Sequence, residues 1–347
     1  MNGLFSSAYT SKGFLSLEKE TYPPDCFTYI LKGYPAEAKK RLFQKIISES
    51  ENELFVQTNY RREPELVYSE QDKFCIKDGT YPYFRDVSTY GVSDKIIDLS
   101  AYQKNAELKN QSSRVGELMS LIKKEERRCE RFLLSCSGIV NDCKRLDKDN
   151  LDTKKLNRYI SKLWRRYGEK PTGKVGMQYK YFASVLTESG TVRSYEPFCS
   201  ECKNVIIIND WSGAAADMII DKIRLYALSC GFDVITCVDI LFPDDIPEHI
   251  IIPAIGLGIY RERSLTSPCF TSYKRIHSRR FMLKETSDCI RNRISFSKKA
   301  YTDLINESVY SLKKLKILNE ELDGIYLENF DMELFLKSAM EMIYSGS

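Results

Sequence analysis

FTYILKGYPAEAKK, residues 27 to 40, decides how the chain is read. FTYIL (Phe27 to Leu31) is a short aromatic and β-branched run of the kind that makes a buried strand, Gly33 and Pro35 interrupt it, and Ala36 to about Ser50 suits a helix. The unit is strand, loop, helix. Leu54 to Gln57 and Phe74 to Ile76 read as further strands, the second ended by DGTYP (Asp78 to Pro82). Strands alternating with a helix predict an α/β fold with parallel sheets flanked by helices.

The same layout returns 177 residues later. NVIII (Asn204 to Ile208) reads as a strand, a loop containing Gly213 follows, and Met218 to Cys230 reads as a helix stopped by Gly231. DVITCVDIL (Asp233 to Leu241), HIII (His249 to Ile252) and GLGIY (Gly256 to Tyr260) are strand-like. With no gap, Gly13 falls over Gly190 and Phe27 to Leu31 over Asn204 to Ile208, so an internal duplication of about half the chain is expected.

Each α/β block is followed by a helical one. From Val115 the apolar positions run Leu118, Met119, Ile122, Cys129, Phe132, Leu133, Cys136, Ile139, Val140 and Cys143, the spacing of one buried helical face, and Lys298 to Leu322 repeats the pattern before a last helix from about Asp331. A shorter helix and a polar linker occupy Lys148 to Lys174. Two domains are therefore expected, 1–170 with a helical extension from about 101, and 176–347 with one from about 285. A length of 347 residues, at about 150 residues per domain, agrees.

With 43% hydrophobic and 29% charged residues, the composition excludes collagen-like, mucin-like and wholly disordered chains. Fifty-two Lys and Arg against 48 Asp and Glu leave a net charge of +4, which selects no partner. The sequence has no run of apolar residues long enough to cross a membrane and no leader-like N-terminus, so a cytoplasmic location is expected, with the eleven cysteines reduced.

A loop between a strand and a helix is where phosphate-binding loops sit, because free backbone N–H groups and the helix dipole favour an anion there. In GYPAEAKK (Gly33 to Lys40), the opening glycine and Lys39 match the phosphate-loop pattern. Ala38 replaces its second glycine and Lys40 its magnesium-binding hydroxyl. Asp78, at the end of a strand, sits where an acid on the magnesium side is expected. In the second copy, DWSGAAAD (Asp210 to Asp217), Asp210 falls over Gly33 and Ala216 over Lys39. Nothing cationic remains, and Asp210 and Asp217 would repel a phosphate.

The chain resembles a family of bacterial proteins from spore-formers with two tandem P-loop domains, described as ATPases or nucleotide-kinase-like proteins. LKGYPAEAKKRL (Leu31 to Leu42), IKDGTYPYFRD (Ile76 to Asp86), YGVSDKIIDL (Tyr90 to Leu99), CGFDV (Cys230 to Val234), FPDDIPEHIIIP (Phe242 to Pro253) and LNEELDGIYLENFDM (Leu318 to Met332) carry the resemblance, which spans nearly the whole chain. It implies two tandem P-loop NTPase-like domains.

Residues 261 to 300 hold eleven Lys and Arg against three acids, a local net of +8, with Tyr273, Phe281 and Phe296 interleaved. Such a segment suits nucleic-acid contacts, a nucleotide lid or a solvated face. Cys199 and Cys202 form a lone CxxC; the chain's two histidines, His249 and His277, lack metal spacing, and no metal site is expected.

The expectation is a degenerate tandem P-loop protein acting as a binding or regulatory module with a protein partner, its first loop retaining weak binding of ATP or GTP with magnesium through Gly33, Lys39, Lys40 and Asp78. Two alternatives stay open: an active ATPase or nucleotide kinase using Lys39 and Asp78, and a nucleic-acid-binding protein using residues 261–300.

Overall fold

The computed structural model describes residues 3–17, 26–87, 91–168, 173–263, 273–283 and 288–345, together with residues 89, 171 and 270. Tyr90 of one quoted segment, Lys284 and Glu285 of the basic segment, and Glu169, Lys170 and Thr172 of the polar linker lie outside the described residues.

The first half runs β1 (Ser7–Thr10), β2 (Gly13–Ser16), β3 (Phe27–Lys32), α1 (Ala36–Glu49), β4 (Leu54–Thr58), β5 (Pro64–Ser69), β6 (Phe74–Asp78), β7 (Asp94–Asp98), α2 (Asn105–Asn110), α3 (Ser112–Asp149) and α4 (Thr153–Tyr167). The second runs β8 (Gln178–Tyr181), β9 (Ser184–Thr187), β10 (Gly190–Arg193), α5 (Glu196–Glu201), β11 (Asn204–Asn209), α6 (Ala214–Ser229), β12 (Val234–Cys237), β13 (His249–Ile252), β14 (Leu257–Glu262), β15 (Tyr273–His277), α7 (Asp288–Leu327) and α8 (Met332–Ser345). The bounds of β9, β10 and β11 lie 177 residues beyond those of β1, β2 and β3.

The two large sheets share one strand order. The first is β4-β5-β6-β3-β7; the second is β12-β13-β14-β11-β15, with β8 added outside β12. The fully parallel sheets expected from the sequence are mixed instead. β3 is parallel to β6 and β7, and β11 to β14 and β15, but β5 and β13 are each antiparallel to both neighbours. The connections explain the reversal: residues 59–63, 70–73 and 253–256 are far too few for the dozen or so residues a parallel crossover needs. In β5, PELVYS, proline fills the first strand position, where a missing N–H costs least.

The long helices α3 and α7 lie antiparallel against each other. Arg114 pairs with Glu321 (2.9 Å) near one end and Asp142 with Arg293 (2.7 Å) near the other. Cys129, Cys136 and Cys143 are fully buried along α3, as the seven-residue spacing predicts. At 1.5 Å per residue, the 38 residues of α3 span about 57 Å, enough to carry α4 away from its own half. Leu156, Ile160 and Leu163 of α4 enter one core with Ile219, Ile220 and Ile223 of α6, whereas Phe335, Ala339 and Ile343 of α8 join Leu42, Phe43 and Ile46 of α1. Each terminal helix of an extension thus belongs to one half in sequence and to the other in space.

Candidate functional site

The first loop is short. β3 ends at Lys32, Gly33 takes a left-handed backbone (φ +99°) that favours glycine, and α1 begins at Ala36. The N–H groups of Ala36 and Glu37, which open the helix, both donate to the carboxylate of Asp323 on α7, the second at 3.1 Å. Asp323 therefore occupies the place at the helix N-terminus that an anion would take. Lys39 is buried, its Nζ 2.9 Å from both oxygens of Asp78 and 5.9 Å from the centre of the Tyr34 ring. Asp78 also accepts from the N–H of Thr80 (2.9 Å). Lys40 pairs instead with Glu63 (3.5 Å).

The second loop is closed from within. Asp210 is buried and its Oδ2 accepts from the N–H groups of Ala215 (2.8 Å) and Ala216 (2.9 Å), so its own carboxylate caps α6. Ser212 donates to Asp147 of α3 (2.6 Å). Gly213 has φ +89°, and a Cβ there would lie 2.8 Å from Nη1 of Arg261. Asp217 joins Arg261 (3.0 Å) and Lys144 (2.6 Å).

The sheet register relates the two loops. Leu31 faces Asp78 across β3 and β6, and Ile208, its partner at the 177-residue offset, faces Arg261 across β11 and β14. The helix-to-strand ion pair is kept with its signs exchanged: Lys39 with Asp78 in one half, Asp217 with Arg261 in the other. The strand expected to end at Tyr260 continues through Arg261 to Glu262. Around Arg261 the charge is dense. Burial alone would raise Asp239, but Arg263 and Arg261 overcome it and hold the carboxyl well below its usual range. His249 is pushed well down, first by burial and then by Arg261, and stays neutral.

The segment 261–300 is divided: Lys274, Arg279, Arg280, Arg291, Arg293, Lys298 and Lys299 are exposed, with Tyr273 and Phe296, while others of its residues turn inward. Arg261 and Arg263 are buried against Asp239, Arg275 pairs with Glu262, and Phe281 is buried too deeply to stack on a base. Cys199 is exposed and Cys202 half-buried, and among the described residues no group of three or more His, Cys, Asp or Glu could hold a metal ion. No helix of the described residues is long and apolar enough to cross a membrane.

A cavity of about 140 Å³ opens beside the first loop, with Lys39 and Asp78 in its wall. Tyr9 and Phe14 of the first hairpin meet edge to face at 5.2 Å, Tyr9 meets Tyr60 at 5.3 Å, and Phe14 meets Tyr83 at 5.2 Å. Glu126, reaching in from α3, accepts from the Tyr9 hydroxyl at 2.9 Å. Burial pushes its carboxyl up to about 7, with the Tyr9 bond opposing. The guanidinium of Arg61 lies 5.3 Å from the centre of the Tyr60 ring, its Nε buried without a partner. In the second half the corresponding void, walled by Ser184, Arg193, Glu248 and Arg261, is about 30 Å³, room for little more than a water.

Sequence reasoning singled out Gly33, Lys39 and Asp78, which the fold brings together, and Lys40, which lines the same cavity but pairs with Glu63. It missed Asp323, Arg61, Glu126 and the tyrosines, which come from separate parts of the chain and share no spacing that could have marked them. No protein-family model, curated protein or solved structure matches the chain.

Proposed function

We propose that the chain is a degenerate tandem P-loop-like protein that works as a binding module and does not turn over nucleotide. The observation behind this reading is the double occupation at the first loop: Asp323 holds the first amides of α1, and Asp78 holds Lys39. An arriving triphosphate would have to displace both carboxylates, and removing one member of a buried ion pair costs about 3–5 kcal/mol. Lys40, where a magnesium-binding hydroxyl would stand, supplies a positive charge instead. At the second loop, Asp210 and Asp217 fill the same space with negative charge. On this reading the module serves a cytoplasmic partner, with its cysteines as thiols. The nucleic-acid alternative loses Arg261, Arg263 and Phe281 to the interior but keeps the exposed Arg279, Arg280, Tyr273 and Phe296, and affinity that falls steeply with salt and depends on Arg279 and Arg280 would favour it.

The test is calorimetric titration of ATP and GTP, with and without magnesium, into the wild type and Lys39→Ala, paired with a phosphate-release assay. No magnesium-dependent turnover is expected, and the two proteins should behave alike. Magnesium-dependent hydrolysis abolished by Lys39→Ala and by Asp78→Ala would overturn the reading in favour of the ATPase or kinase alternative.

A further inference from the structure

The cavity beside the first loop is walled by two ionisable groups that form no ion pair with a described residue. Its other charged groups are matched: Lys39 with Asp78, Lys40 with Glu63, and Asp323 with the amides of α1. Glu65 takes hydroxyl bonds from Ser6 and Ser7 at 2.6 Å each and faces Arg85 at 3.3 Å. Arg61 and Glu126 remain. Arg61 makes no ion pair and no side-chain hydrogen bond with a described residue, although Glu63 and Glu188 act on its charge from beyond contact, and Glu126 has only the Tyr9 hydroxyl. Nor do the two form an ion pair with each other, although both act on the same phenols, Tyr9 and Tyr60.

Burial opposes the Arg61 charge, but Glu63 and Glu188 together with the neighbouring phenols outweigh it, so a charged guanidinium is held in the cavity wall with its Nε still lacking a hydrogen-bond partner. A guanidinium is shaped to take a carboxylate through two parallel hydrogen bonds. The Glu126 carboxyl, pushed up to about 7 by burial, is drawn to its ionised form once an ammonium sits beside it, and the ring faces add their own attraction for that cation. At about 140 Å³, the cavity is close to the roughly 150 Å³ space that accommodates benzene, room for about six to eight non-hydrogen atoms.

We propose that this cavity binds a small zwitterion of the amino-acid class, its carboxylate held by Arg61 and its ammonium by Glu126 between Tyr9 and Tyr60. The proposal rests on the reading of the chain as a binding module and gives that module a ligand class. It leaves the loop itself aside: neither the amides of α1 nor Lys39 is needed for it. The corresponding void in the second half, at about 30 Å³, is too small for such a ligand.

The experiment is calorimetric titration of the full chain with glycine, L-alanine and L-serine, and with the single-charge analogues ethylamine and propionate, repeated on Arg61→Gln and Glu126→Gln. Saturable binding of at least one zwitterion is expected, with ethylamine and propionate each weaker by about tenfold or more. Arg61→Gln should weaken the zwitterion about tenfold and leave ethylamine unchanged, and Glu126→Gln should do the converse with propionate. Because the analogue series is read on the wild type, it stands even if a variant folds poorly. No saturable heat and no thermal shift with any zwitterion at about 10 mM would overturn the proposal, as would an analogue binding as tightly as the zwitterion. Nucleotide turnover would sink the module reading independently, so the two failures are distinguishable.

Discussion

Phe5 and Phe182, 177 residues apart, exchange both backbone hydrogen bonds: the N–H of Phe5 donates to the carbonyl of Phe182 at 2.9 Å, and the N–H of Phe182 to that of Phe5 at 2.8 Å. Both rings are buried in one core with the two hairpins. Each residue precedes its own hairpin by the same interval, so a residue here pairs antiparallel with its counterpart in the other half. Such a reciprocal contact is isologous, the kind an approximate two-fold axis generates. The antiparallel α3 and α7 and the exchanged α4 and α8 follow the same relation.

Replacing either ring removes packing at that junction. Phe5→Ala and Phe182→Ala should each cost about 3–5 kcal/mol in urea denaturation. Since the rings share one cluster, the double variant should cost measurably less than the sum, a coupling of about 0.5 kcal/mol or more. Strict additivity would mean that the halves do not lean on each other there.

The network around Arg261 should be far more sensitive than the surface pair at Lys40. Asp239→Asn leaves the buried Arg261 and Arg263 short of a counter-charge and should destabilise by about 3–5 kcal/mol, whereas Lys40→Ala should stay within about 0.5 kcal/mol. Comparing the two denaturation midpoints, corrected for slope, checks this.

Stability should depend on pH through two groups with opposite slopes. His249 stays neutral in the fold, while the unfolded imidazole takes up a proton below about 6.5, so stability falls as pH drops beneath that value. Glu126 keeps its proton up to about 7 in the fold but loses it near 4.5 when unfolded, so its contribution to stability falls as pH rises through that window. Glu126→Gln should therefore gain relative to the wild type between about pH 4.5 and 7. A constant difference across denaturation curves at pH 5, 6 and 7 would refute the assignment.

Two glycines should respond with opposite signs. Gly213→Ala meets both a left-handed backbone and Arg261 Nη1 at 2.8 Å, and a loss of about 1–3 kcal/mol is expected. Gly116→Ala sits inside α3 with no atom within 4 Å of its added methyl, and should stabilise by about 0.5–1 kcal/mol. Thermal melts of the two variants decide the matter.

By itself the sequence determined what depends on near neighbours. The strands at Phe27, Phe74, Asn204 and His249, the helices from Ala36, from Val115 and within Lys148 to Lys174, and the 177-residue recurrence all follow from side-chain periodicity and from breakers such as Gly33 and Gly231. These signals are local because a helix or strand selects its face within a few residues. Tertiary structure decided the rest: the reversed β5 and β13, the exchange of α4 and α8, Asp323 on the amides of α1, the inverted pair of Asp217 and Arg261, and the meeting of Tyr9, Arg61 and Glu126. Asp323 stands 287 residues from Ala36, and no periodicity links residues so far apart. Such partners are chosen by where the long helices return the chain, and by the need for every buried charge and free helix amide to find a group that answers it.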